Sequence, residues 1–288
     1  MTRAELSHLA DRLRKMPPKA RAATPGLNPD RADIIVAGLV VVDRLMQRFH
    51  LNVLQVHNRG IRDGLLLAMI ERSPGSVAAP VIDRHAAIDR FAAECRTDLE
   101  HGRHVARLAG EIYRQLAAPL GLDPTDQPLL EAAARLQDVG YLINYDQHHK
   151  HSYHLVLNSN LPGFQPHELE LVANVARYHR GARPKKKHAN FRQLTAVDRW
   201  RVKRLAAILR LAGGLDRSHS QQVTAVDATA GPSGVDLCVH SADDPDVDLW
   251  GARRRTRLFE EVFDAPVRIE WERAEAGPGE KTERPQDS

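Results

Sequence analysis

Residues 98–118 read DLEHGRHVARLAGEIYRQLAA. Val105, Leu108, Ala109, Ile112 and Leu116 recur there at the three- and four-residue steps that place side chains on one face of an α-helix. His101 stands four residues before Val105 and seven before Leu108, so an imidazole joins the buried stripe. The same period runs through residues 126–138, with Leu129, Ala132, Ala133 and Leu136, and through residues 167–179 and 195–216. The last of these opens with Thr195 and Asp198 in N-capping spacing. From Ile82 to Ser220 every periodic segment reads as helix, which makes this block all-α.

On the N-terminal side, Thr2 and Glu5 form a capping-box pattern ahead of Leu6, Leu9 and Leu13, predicting an amphipathic helix that stops at Pro17 and Pro18. Residues 31–49 put Ile34, Ile35, Gly38, Val41, Val42, Leu45, Met46 and Phe49 on one helical stripe. Val53 to Val56 reads as a strand, and Asn58-Arg59-Gly60 turns into a helix carrying Ile61, Leu65, Leu66 and Met69. One strand cannot complete a sheet, so this segment is expected to dock on the helical block or to pair with a second copy as a homodimer. Beyond the helical block, residues 222–228 and 234–240 read as strands joined through Gly231-Pro232-Ser233-Gly234, then a helix at 250–262 and a strand from Val267 to Trp271. The expected fold is mainly α with a small α+β tail: an N-terminal segment 1–72, a Ser/Pro/Gly linker 73–84, the helical domain 85–220, the α+β subdomain 221–273 and a disordered polar tail 274–288.

Of the 288 residues, 42% are hydrophobic and 27% charged, as expected for a chain that buries real cores. No run approaches a membrane span, and the start MTRAELSHLADRLRK lacks an apolar signal core. Cys95 and Cys238 have no CxxC partner, which argues against a disulfide framework or a cysteine-only zinc site and fits a reducing cytoplasm. The net charge of +4 is unevenly spread: residues 177–210 carry 12 Lys/Arg and a single acid, Asp198. Eleven of the 15 histidines lie between His85 and His219. Basic groups mixed with imidazoles point to a phosphate-rich ligand or a metal, while a solvated charged face is the plain alternative.

Polar residues on apolar stripes sharpen this reading. Asp216 follows Ala212 by four residues and Leu209 by seven, and a buried carboxylate needs a cation, whether a metal or an arginine such as Arg107 or Arg135. Asp138 ends a helix marked by Gly140, and His179 follows Val175 by four residues. Four helices thus each aim a metal-ligand type inward, although each alone is more often a satisfied core group. The segment YLINYDQHHKHSYH, residues 141–154, is read as a loop gathering His148, His149, His151 and His154 around Lys150. The run RYHRGARPKKK, residues 177–187, could serve nucleic acid, but it holds few aromatics for base stacking.

Taken together, GLNPDRADIIVAGLVVVDRLMQRF, LEHGRHVARLAGEIYRQL, AAARLQDVGYLINYDQHHKHSYHLV, LPGF, VARYHRGARPKKKH and LAAILRLAGGLDRSH resemble the C-terminal half of the exopolyphosphatase and guanosine pentaphosphate phosphatase family. The resemblance spans about residues 1–271. It implies that residues 1–72 are the remnant of a second actin-like (ASKHA) lobe and that residues 85–220 form an HD-type helical domain. It also implies a phosphoric anhydride hydrolase acting on polyphosphate or a guanosine polyphosphate, with a divalent metal (Mg, Mn or Fe) held by His101, Asp138 and Asp216 together with His149, His151 or His179. Lys150, Arg180, Lys185, Lys186 and Lys187 would then meet phosphate. Two departures stand out. The family's N-terminal lobe, with its Gly-rich phosphate loops and catalytic carboxylate, has no counterpart in this sequence, so the chain reads as a truncated member unable to use that site alone. The histidine–aspartate pair that names the HD superfamily is Gln137-Asp138 here, and glutamine is a poor metal ligand. A non-catalytic polyanion-binding or regulatory module is the competing class.

Overall fold

The computed structural model describes residues 1–54, 60–62, 64–65, 69 and 83–274. The chain falls into two compact units, Met1–Ser73 and Pro74–Ser288.

In the first unit, α1 (Arg3–Lys15) is opened by the expected capping box: the Glu5 amide donates to Thr2 Oγ1 at 3.3 Å, and the Thr2 amide donates to Glu5 Oε2 at 2.6 Å. After α2 (Pro18–Ala22), the third helix, α3 (Ile35–Arg48), begins four residues later than its periodicity predicts. Residues Pro29–Arg31 are instead taken into a 3-10 turn capped by Asn28. Arg21 donates to the carbonyls of Leu13, Met16 and Ala32 and so ties these segments together. Leu6, Leu13 and Met46 are buried, whereas Ile34, Val41, Leu45 and Phe49 of the predicted stripe are 61%, 58%, 51% and 66% exposed. The stripe exists, but it is not core. The predicted strand is reduced at Val53 to a single antiparallel bridge with Thr2. Residues 55–56 of that strand, most of the following helix, residues 70–82 with most of the linker, and residues 275–288 lie outside the described residues.

The second unit is a helical block with a small sheet. Its helices are α4 (Arg84–Glu94), α5 (Leu99–Leu116), α6 (Gln127–Leu136), α7 (His148–Leu157), α8 (Pro166–Arg177), α9 (Ala189–Arg192) and α10 (Ala196–Ala212). Asp98 and Thr195 cap α5 and α10 by accepting from the amides of His101 and Asp198, both at 3.1 Å. Gly102 lets α5 lie close against α6, since a Cβ there would stand 3.2 Å from the Arg135 carbonyl oxygen. Val105, Leu108, Ala109, Ile112 and Leu116 are buried with Leu130, Leu136, Val172, Val175, Leu205 and Leu209 in one core. Two expectations need correction here. The segment read as a loop turns helical at His148, and α10 ends at Ala212 rather than running to Asp216, because Gly213 and Gly214 break it.

The sheet comprises β1 (Ala225–Gly231), β2 (Gly234–Ser241) and β3 (Val267–Arg273) in the order β1-β2-β3. The first two pair antiparallel through the predicted Gly-Pro-Ser-Gly turn, and β3 runs parallel to β2. A parallel neighbour needs a crossover, which α11 (Asp246–Arg253) and α12 (Arg257–Phe263) supply, two helices where one was expected. Val226, Ala228, Leu237, Val239 and Ile269 face the core. Gln115 of α5 covers the edge of β1, donating to Val226 O at 2.7 Å and accepting from the Ala228 amide at 2.9 Å. No helix among the described residues is long and apolar enough to cross a membrane.

Candidate functional site

The site is built around Asp138, just past the C-terminus of α6. The turn that carries it is clamped to α7: Gly140 N donates to Ser152 Oγ at 2.9 Å, and Ser152 Oγ donates to Gln137 O at 2.6 Å. The clamp requires glycine, because a Cβ on Gly140 would overlap the His148 carbonyl oxygen and stand 2.6 Å from Ser152 N. Gln147, immediately before α7, adopts left-handed backbone geometry with φ 56°, an uncommon state for a non-glycine residue. Together these turns aim His148 at Asp138.

Three imidazoles converge on that carboxylate. His148 Nε2 lies 3.1 Å and His179 Nε2 3.6 Å from Asp138 Oδ1, and His101 Nε2 lies 3.5 Å from Asp138 Oδ2. The far nitrogen of each ring is already committed. His148 Nδ1 faces Tyr145 O at 3.1 Å and His179 Nδ1 faces Ala176 O at 2.7 Å, and a carbonyl can only accept. Those Nδ1 atoms therefore carry the protons. The Nε2 atoms of His148 and His179, 3.4 Å apart, turn lone pairs toward each other and toward an anionic oxygen. Such an electron-rich point calls for a cation. The nearby donors of Asp138, His148 and His179 all lie within 4.8 Å of one another, a His/carboxylate set suited to a divalent transition metal. Burial pushes His179 down to about 3, so its ring is neutral at pH 7. Burial opposes the charge on Asp138, but the close approach of the His148, His179 and His101 rings outweighs it and holds the carboxyl well below the ordinary value.

His101 is held apart from this set. Its Nδ1 pairs with Asp216 Oδ2 at 2.8 Å, and the Gln137 amide donates to its Nε2 at 3.2 Å. His219 stacks on the ring with centroids 3.8 Å apart. The wholly buried Asp216 is answered by His101, by the Gln221 amide at 2.9 Å and by the Gln221 side chain at 3.2 Å, not by Arg107 or Arg135, which pair with Glu111 and Asp89. Asp216 is therefore an orienting partner of His101. Gln137 Oε1 is buried without a partner.

Of the residues expected to hold metal, the structure brings together His101, Asp138 and His179, and it adds His148, which the motif comparison passed over for its neighbours. His149 instead packs on Gly181, where a Cβ would stand 3.3 Å from its Nε2, and burial pushes it down to about 4. His151 stays half-buried outside the group.

Beside the cluster lies a pocket of about 380 Å³ lined by Gly181, Ala182, Arg183, Lys185, Lys187, His188, Arg210, Arg254, Arg255, Arg257 and Leu258. Seven of these are Lys or Arg and none is an acid. Two expected phosphate contacts, Lys185 and Lys187, line it. Lys186 does not, Lys150 is exposed and bonded to Gln147, and Arg180 faces Tyr141. The run Arg253-Arg254-Arg255-Thr256-Arg257 was the overlooked signal. It reaches the pocket because α11 packs on the turn after α10 glycine to glycine: a Cβ on Gly251 would stand 2.6 Å from Gly214 O. Arg210 holds the wall by donating to Tyr178 O and Gly181 O, both at 2.7 Å. Glu261, outside the lining, pairs with Arg183 and Arg257, whereas Arg254 and Arg255 have no acidic partner among the described residues. Burial, then repulsion from neighbouring guanidinium groups, pushes Arg210 and Arg255 down to about 10, still charged at pH 7. Arg255 also interacts electrostatically with Asp138 and His179, so pocket and cluster share a border.

Residues 83–244 match the family model described as Ppx/GppA phosphatase, domain III, and residues 1–73 match the one described as Ppx/GppA phosphatase family. The guanosine-5'-triphosphate,3'-diphosphate pyrophosphatase of Pseudoalteromonas translucida (strain TAC 125) is 31% identical over 159 residues, 54% of this chain and 31% of the relative. The protein of the same name from Vibrio parahaemolyticus serotype O3:K6 (strain RIMD 2210633) is 25% identical over 189 residues, 65% of this chain and 36% of the relative. The chain spans about a third of the length of these curated relatives. With the helical block, its histidine cluster and the N-terminal unit all inside the matched ranges, the chain belongs to the Ppx/GppA phosphatase family.

Proposed function

We propose that this chain binds a guanosine polyphosphate or polyphosphate in the basic pocket, and that Asp138, His148 and His179 beside it hold a divalent cation for hydrolysis of a phosphoric anhydride. In this reading residues 85–220 are an HD-type helical domain, residues 1–72 derive from an actin-like lobe, and the protein works in the cytoplasm. The observation that carries it is a concave site with seven cations and no acid, two of its arginines lacking an acidic partner among the described residues. Lys185, Lys187 and Arg254 neutralise phosphate oxygens, Arg210 fixes the wall, and Arg255 aligns the end of the ligand nearest Asp138. A bound divalent ion would supply Lewis acidity and a water of lowered pKa.

Binding without hydrolysis is favoured by Gln137, whose amide occupies the lone pair with which His101 could complete the cation site. Titration of the purified chain with polyphosphate, guanosine 5'-triphosphate 3'-diphosphate and a single-stranded oligonucleotide of equal charge tests the binding claim. The phosphate ligands should bind at least as tightly as the oligonucleotide; a clear preference for the oligonucleotide contradicts it. Phosphate release with added Mn²⁺, lost in His148→Ala, separates hydrolysis from binding alone.

A further inference from the structure

The outward face of the small sheet carries a second group of metal-ligand types, remote in sequence from the histidine cluster. Cys238 and His240 lie two residues apart on β2 and so share a face. In the parallel register His240 is opposite Glu272 of β3 and Cys238 opposite Glu270, and in the antiparallel register Asp227 of β1 is opposite Cys238. Donor atoms of Cys238, His240 and Glu272 all lie within 4.8 Å of one another. Asp227 Oδ2 lies 2.8 Å from His240 Nε2. That contact places the ring proton on Nε2 and leaves the Nδ1 lone pair free, the arrangement in which a carboxylate orients a metal-binding imidazole. Neither Asp227 nor Glu272 pairs with a Lys or Arg among the described residues, and Glu270 and Glu272, two residues apart on β3, present a second carboxylate on the same face.

We infer that Cys238, His240 and Glu272 form a binding site for a thiophilic divalent cation of the Zn²⁺ class, with Asp227 holding His240 and a water completing the coordination. A thiolate, an imidazole and a carboxylate are the donors that zinc takes in four-coordinate sites. The thiol proton, now donated to Glu272, leaves as the cation enters. The ion would tie the edge strand β3 to the central strand β2.

Cobalt(II) added to the full-length chain under reducing conditions tests this, because only a site containing a thiolate gives near-ultraviolet sulfur-to-cobalt charge-transfer absorption. The expected result is one equivalent of such a band, bleached by Zn²⁺, absent in Cys238→Ser and weakened at least about tenfold in affinity by Asp227→Asn. The band should persist in Cys95→Ser and in His148→Ala, so this site stands or falls separately from the histidine cluster. Zn²⁺ should also slow alkylation of Cys238 in the wild-type protein, a readout that needs no variant to fold. No charge-transfer band at saturating cobalt, a band that survives Cys238→Ser, or alkylation unaffected by Zn²⁺ overturns the assignment.

Discussion

His101 and His179 were legible as inward-facing groups because each continues a helical apolar series, and Asp138 because it ends a helix marked by Gly140; an imidazole or carboxylate so placed must be satisfied in the core. His148 was not legible. Four histidines in residues 148–154 offer no internal sign of which faces inward; the choice is made by the left-handed backbone at Gln147 and the contact of Gly140 with α7. The role of Gln137 was only half visible: its poverty as a ligand is a matter of chemistry, but its hydrogen bond to His101 is a matter of packing. Two outcomes follow at this scale. Mn²⁺ should raise the melting temperature of the wild-type protein and leave His148→Ala unmoved, while Gln137→Ala, by freeing His101 Nε2, should enlarge the rise; scanning calorimetry with and without metal reads both. In chelated protein, His179 is held near 3 against an ordinary 6.5, so below pH 6.5 the unfolded chain takes up a proton that the folded one refuses. Stability therefore falls as the pH drops from 6.5 toward 4, by up to about 1.4 kcal/mol per unit for this ring. The Asp138 contribution is lost only below its ordinary 3.8, outside that window. The gap between the urea midpoints at pH 7 and 5 should narrow in His179→Gln, with His149, pushed down to about 4, keeping part of it; an undiminished gap in that variant contradicts the assignment.

At the scale of elements, α5 and α10 were readable because Val105, Leu108, Ile112 and Leu205, Leu209 keep a strict helical period and Thr195 and Asp198 stand in capping spacing; the Asp98 cap of α5 is visible only in the structure. The first turns of α7, His148 to Tyr153, have no such period, and their helicity comes from tertiary contacts, with Ser152 bonded to the Asp138 turn. The pocket wall was hidden for a related reason: Arg254 and Arg255 are distant in sequence from Arg210, and the close approach of Gly214 to Gly251 brings them together. Gly140→Ala should therefore be severely destabilising, by about 3 kcal/mol or more, since backbone must move to admit the methyl group. Gly231→Ala, with nothing within 4 Å of the added carbon, should stay within about 0.5 kcal/mol of wild type. Chemical denaturation of both variants checks the contrast, and equal losses would contradict the clamp around Asp138.

At the scale of the whole molecule, the two units differ in how much apolar surface they bury. In α3 only Met46 is buried, whereas α5 buries ten residues. Hydrogen exchange should accordingly open residues 35–48 far sooner than residues 99–116; matched protection would show that the N-terminal unit has a core of its own. The central claim, a pocket built for phosphate chains, is tested most directly by the salt dependence of polyphosphate affinity in the wild-type protein and in the triple variant Lys185→Ala, Lys187→Ala, Arg254→Ala. Each cation that meets phosphate releases counterions, so a plot of log affinity against log salt should fall steeply for the wild type and be flatter in the variant by up to about three units. An unchanged slope in the folded variant would mean that phosphate binds elsewhere and would contradict the assignment of this pocket.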